Sequence, residues 1–195
     1  MPLGANKAAI MGVAGVSTAD VVLLYDTDHS NASTASITSG IDSTYGEYIF
    51  KCYNMNPASD NVNFTFNCSI DSGSNYNVTK TSTAFMAYHD EGDSSASITY
   101  RTDEDHAQAT GFQMLAAGVG NGGDESCAGE LHIFNPASTT YVKHFYARFN
   151  NYFSGNELYA THMAGYFNDT NDIDAVQFKM SSGNFDGTIK MWGVK

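Results

Sequence analysis

Val62-Asn63-Phe64-Thr65-Phe66-Asn67-Cys68-Ser69-Ile70 alternates strictly, with every second residue apolar and every residue between them polar. Successive side chains of a strand point to opposite faces, so a period of two describes a half-buried β-strand. Weaker stretches of the same kind recur at 21–25, 48–53, 84–88, 97–101, 111–119, 130–134, 141–149, 158–167, 175–180 and 187–194. Runs of this length, separated by Gly, Pro, Asn and Ser, predict an all-β fold, an antiparallel β-sandwich of jelly-roll-like form. No capped segment of helical period exceeds a turn or two, and only 103–108 is a candidate for one short helix.

Turn chemistry predicts hairpins at Asn56-Pro57-Ala58-Ser59, at Asn135-Pro136-Ala137-Ser138, and at 181–187 with its Ser-Ser-Gly-Asn start. Pro presets the dihedral of a turn's second residue, while Asn, Ser and Gly satisfy or relax the bends around it. The 195 residues fit one domain, taken here as 20–195. Residues 1–19 form an N-terminal arm or leader, with Gly4, Gly12 and Gly15 set among Ala and Val. That composition is too apolar for a solvated tail and too rich in glycine for a stable helix, and an arm that orders against a neighbouring subunit is one reading of it.

Nine Lys and Arg against 21 Asp and Glu give a formal net charge of −12. A phosphate backbone is a poor partner for such a surface, because binding it needs clustered cations; no nucleic acid is expected. No apolar run approaches the eighteen or so residues that cross a bilayer, so no membrane insertion is expected, and no secretory leader is discernible. Cys52, Cys68 and Cys127 are odd in number and lack CxxC spacing. Reduced, half-buried thiols made in a reducing cytoplasm are the expectation.

Signatures of catalysis are absent: there is no GxSxG, HExxH, GxxxxGK[ST] or helix-opening GxGxxG. The glycine run 118–124 reads as a loop after a strand, with nothing helical behind it. His132 and His144 would fall nearly opposite each other if the 135–138 turn closes a hairpin, a cross-strand pair that lacks further metal ligands. Carboxylates cluster at Asp26 and Asp28, at 90–93, at 103–105 and at 169–174. The last loop offers several oxygens for calcium without the EF-hand spacing, and solvated loops are the plainer reading of all four. Nothing marks two acids for glycoside hydrolysis, so no catalytic, cofactor-binding or metal residue is assigned, and the chain is not expected to be an enzyme.

Gly46-Glu47-Tyr48-Ile49-Phe50-Lys51, the two Asn-Pro-Ala-Ser turns and the C-terminal run from Ser181 through Gly187-Thr188-Ile189-Lys190-Met191-Trp192-Gly193 resemble virion structural proteins of tailed bacteriophages, marine and cyanobacterial ones especially. The resemblance covers most of the chain from about Asp20, and it lies in turns rather than in chemistry. It implies a jelly-roll-like module that acts through subunit assembly, as a capsid decoration protein or a tail-fibre or appendage subunit. The expected partners are copies of itself, as a homotrimer, and other virion proteins such as the major capsid protein or a tail protein; the place is the virion, assembled in the host cytoplasm. The residues add a motive for assembly, since 141–149 and 158–167 carry large aromatics on both faces where a sandwich covers only one. The alternative reading is a lectin-like module that recognises a host surface glycan through exposed aromatics.

Overall fold

The computed structural model describes residues 20–195, so the arm or leader over 1–19 lies outside the described residues. In chain order the strands are β1 (Val21–Ala32), β2 (Ala35–Ile37), β3 (Glu47–Pro57), β4 (Val62–Ser69), β5 (Lys80–Asp90), β6 (Ala96–Tyr100), β7 (Gln113–Val119), β8 (Cys127–Phe134), β9 (Lys143–Phe153), β10 (Glu157–Phe167), β11 (Ala175–Met180) and β12 (Phe185–Val194). Every run of alternating residues singled out above forms a strand. No helix forms among the described residues. At 103–105 the chain makes a turn instead, the Glu104 and Asp105 N–H groups both donating to the Arg101 carbonyl.

All pairings are antiparallel, in the order β1-β12-β3-β8-β9-β7-β4-β11-β2, with β10 beside β9, β5 beside β10 and β6 on the free edge. Ala32 leads through two residues into Ala35, so the chain itself joins the two ends of that path. The sheet is nearly closed into a barrel.

Packing follows from the alternation. Along β9 the residues from Lys143 to Asn151 are buried and exposed by turns, which leaves one face inside and one open. β4 departs from the half-buried expectation, because it is buried throughout from Phe64 to Ser69. Its polar face is covered by loops and satisfied there: Thr65 Oγ1 donates to the Lys179 carbonyl, and Asn67 Nδ2 donates to the carbonyls of Tyr76 and Thr110. Polar alternation therefore marked hydrogen bonding rather than solvent. On the other face Phe64 meets Phe149, Phe178 and Phe185 at ring separations of 5.9, 5.9 and 6.2 Å. Phe66 meets Phe145 and Phe167 at 5.4 and 6.2 Å, which ties β4 to β9 and β10 across the core.

Only one of the three expected hairpins forms. The 135–138 turn joins β8 to β9, which do pair, whereas β3 and β4 have no pairing with each other, and neither have β11 and β12. The other two turns instead dock on one another: the Ala58 N–H donates to the Asn184 carbonyl at 2.8 Å, and Gly183, at φ +74°, lies against Ser59. Turn residues bend the chain locally, but the partner of each strand is chosen by the core. Cys52, Cys68 and Cys127 are free and fully buried rather than half-buried, and burial pushes each thiol up.

Candidate binding face

The registers set the outward side chains in rows that run across the strands. One row reads Asp26, Lys190, Lys51, Glu130, Arg148, His162, Phe85, Tyr100, on β1, β12, β3, β8, β9, β10, β5 and β6. Its first half is charged and paired, Lys190 to Asp26 at 2.9 Å and Lys51 to Glu130 at 3.6 Å. Its second half turns apolar, with Phe85 stacked on His162 at 5.0 Å and 4°. Exposed ion pairs contribute little to stability, so the charged half chiefly keeps its surface solvated.

A neighbouring row holds Trp192, Ile49, His132, Tyr146, Ala164 and Thr83. His132 is buried, with Nδ1 2.6 Å from Glu47 Oε1 and its ring 4.4 Å from the Tyr146 ring at 15°. Among the described residues its Nε2 has no hydrogen-bond partner, and it lies 3.7 Å from Glu130 Oε1. The carboxylate of Glu47 fixes the imidazole, as one member of a triad would, but no hydroxyl or thiol bonds to the other nitrogen. Burial, then the charges of Glu47 and Glu130, raise the Tyr146 phenol. The expected facing of His132 and His144 is corrected: Tyr146 stands opposite His132, while His144 pairs with Tyr166 across β10. The register of a hairpin follows the whole connection, and Ile133 pairs with Phe145, two positions away from what the turn alone implied.

The acidic loops make most of their hydrogen bonds within the chain, although Glu104 Oε2 and Asp174 Oδ1 are buried without a partner among the described residues. In the 169–174 loop the carbonyls of Asp169 and Asn171 accept from the Lys143 ammonium, the former at 3.0 Å, and Asp174 accepts from the Ser72 N–H at 2.8 Å. A cation of the chain's own thus occupies the place where calcium was considered. Among the described residues no group of three or more His, Cys, Asp or Glu side chains converges as metal ligands do. In the glycine run, Gly122 N–H donates to Glu125 Oε2 at 2.7 Å, so the loop wraps its own carboxylate.

Two confluent clefts open on the outer face. The first, about 670 Å³, is lined by Ser43, Tyr45, Phe134, Asn135, Tyr141 and His144 among others. Phe134 and His144 also line the second, about 500 Å³, together with Thr83, Tyr146, Ala164 and Tyr166. Among the described residues no Asp, Glu, Lys or Arg lines either one. Beyond the second cleft, along β5, β6 and β10, the apolar side chains stand free: Ile98 is 74%, Tyr100 55%, Leu158 52% and Phe85 47% exposed. The doubled aromatics of 141–149 and 158–167 had marked this face. Tyr45 carried no signal, because it lies in a loop and reaches the cleft only through tertiary packing edge-on to Tyr48 at 5.9 Å.

No family model matches the chain, and no curated protein matches it. A crystal structure of a protein of unknown function from Bacteroides ovatus is similar over 54% of this chain and 45% of its own, at 7% identity and a TM-score of 0.30. A likeness that slight carries no argument.

Proposed function

We propose that this chain is a structural subunit of a phage virion, a capsid decoration protein or a tail-fibre or appendage subunit, that works by assembling with copies of itself into a trimer. In this reading the nearly closed sheet is the jelly-roll-like sandwich of the subunit. The observation that carries the assembly is the apolar end of the outer face, where Phe85, Ile98, Tyr100 and Leu158 stand exposed with Ala87 and Ala160 beside them in register, and charged side chains such as Arg148 and Glu157 stand only at its margin. On a chain of net charge −12, a patch whose centre is apolar is where a second, equally acidic copy meets the least repulsion. Isolated proteins seldom leave such patches open. β6 adds a second motive: all five of its residues are exposed, it forms the free edge of the sheet, and it has no charge or Pro to guard it. Closed cyclic symmetry brings equal patches around one axis.

Light scattering on the full-length protein tests this. A mass three times 21.0 kDa at micromolar concentration is expected. Ile98→Asp, which puts a charge into the patch at a site too exposed to disturb the core, is expected to yield monomer with unchanged thermal unfolding of the subunit. A wild-type monomer overturns the proposal.

A further inference from the structure

We infer that the two confluent clefts form a binding site for a neutral sugar, one pyranose seated between Tyr141 and Phe134 and the chain continuing toward Tyr166. Sugars present an apolar C–H face and a rim of hydroxyls, so their sites combine ring platforms with fixed polar groups. Both parts are present here. Tyr141 is 74% exposed, a ring with no packing duty. On the same cleft Phe134 is held at 5.8 Å from the Tyr146 ring, and His144 at 6.2 Å from Tyr166, so these walls are set in place by the sheet. The side-chain amide of Asn135 has no partner among the described residues, although the turn that carries it is pinned: Asn135 N–H donates to the Gly46 carbonyl at 2.7 Å and its own carbonyl accepts from Ser138 N–H at 3.0 Å. The pinned backbone keeps this residue at the cleft and leaves its amide open to a sugar hydroxyl, as donor and as acceptor.

Charge selects the class of sugar. Among the described residues neither cleft is lined by Lys or Arg, and the net charge of −12 repels anions, so uronic and sialic acids are disfavoured against neutral hexoses and N-acetylhexosamines. None of Phe85, Ile98, Tyr100 and Leu158 lines either cleft, so the test of this site is separate from that of the assembly. Saturation-transfer NMR on the wild-type chain, with the methyl glycosides of glucose, galactose, mannose and N-acetylglucosamine and with their linear tetrasaccharides, is expected to show transfer to at least one C–H face. Tyr141→Ala is expected to weaken that ligand about tenfold. Asn135→Gly, which keeps the left-handed backbone at φ +44°, is expected to weaken it as well, while Ile98→Asp leaves it unchanged. No transfer from any neutral sugar, or transfer that survives Tyr141→Ala at full affinity, overturns the inference whatever the oligomeric state proves to be.

Discussion

Phe64→Ala is expected to lose about 3–5 kcal/mol of folding stability, the cost of emptying a large aromatic site in a close-packed core. Phe64 is fully buried and its ring touches those of Phe149, Phe178 and Phe185, which come from β9, β11 and β12. One side chain therefore joins β4 to three other strands, and the cavity left by its removal is lined by rings that cannot collapse without moving sheet backbone. A domain of ordinary stability has only about 5–15 kcal/mol in all, so the variant sits near the edge of folding at body temperature. Phe64→Leu keeps most of the volume and is expected to cost well under half as much. Urea unfolding followed by the fluorescence of Trp192 and the tyrosines measures both. An alanine variant with the wild-type midpoint would remove Phe64 from the centre of the core.

The same residue shows how far the sequence could be read. The period of two around Phe64 announced a strand and its inner face, because a strand's alternation is a local property of the backbone. Which strands would meet Phe64 was not legible, since Phe149 and Phe185 lie far along the chain and their approach depends on the whole curl of the sheet. The turns at 56–59 and 181–187 illustrate the loss: their residues bend the chain as read, yet they close no hairpin and pack on each other through Ala58, Asn184, Ser59 and Gly183. β2, three residues long, spans only one and a half periods of alternation and left no pattern to find.

The binding face was legible by composition and not by geometry. Aromatics on both sides of β9 and β10 predicted an open apolar face, and Tyr146 and Leu158 are exposed on it. Its division into a charged third, a pair of uncharged clefts and an apolar edge arises from cross-strand register, which places Glu130 beside Arg148 and Phe85 beside Tyr100. Register is set by non-local pairing, so no window of sequence contains it. The buried cations were missed for the opposite reason. Lys80 and Lys143 each begin a strand with a charge, an arrangement that reads as a solvated strand end, yet the structure pairs both with Phe167 in one inner row.

Lys80 gives the second large effect, and its signature is in pH. The side chain is fully buried, and its ammonium donates to the carbonyls of Gly111 at 2.6 Å and Val78 at 3.2 Å. Burial lowers its pKa from 10.5 to about 8, with the nearby Cys68 opposing the shift. Below pH 8 the lysine is protonated in both the folded and the unfolded chain, and the cost of burying the charge is fully present. Between pH 8 and 10.5 the folded chain has released the proton while the unfolded chain still holds it, so the stability contributed by this group rises with pH across that window. The full rise is roughly 3 kcal/mol. Lys80→Met removes the titration and leaves two carbonyls without their donor, a loss that does not depend on pH. Tyr48, raised to about 12 by its burial, titrates alike in both proteins and cancels from their difference. The stability of the wild type minus that of Lys80→Met, from urea unfolding at pH 7, 8, 9 and 10, is therefore expected to be level up to pH 8 and to climb above it. A difference that stays level to pH 10 would mean that the ammonium keeps its proton, held by the Gly111 and Val78 carbonyls more tightly than burial disfavours it.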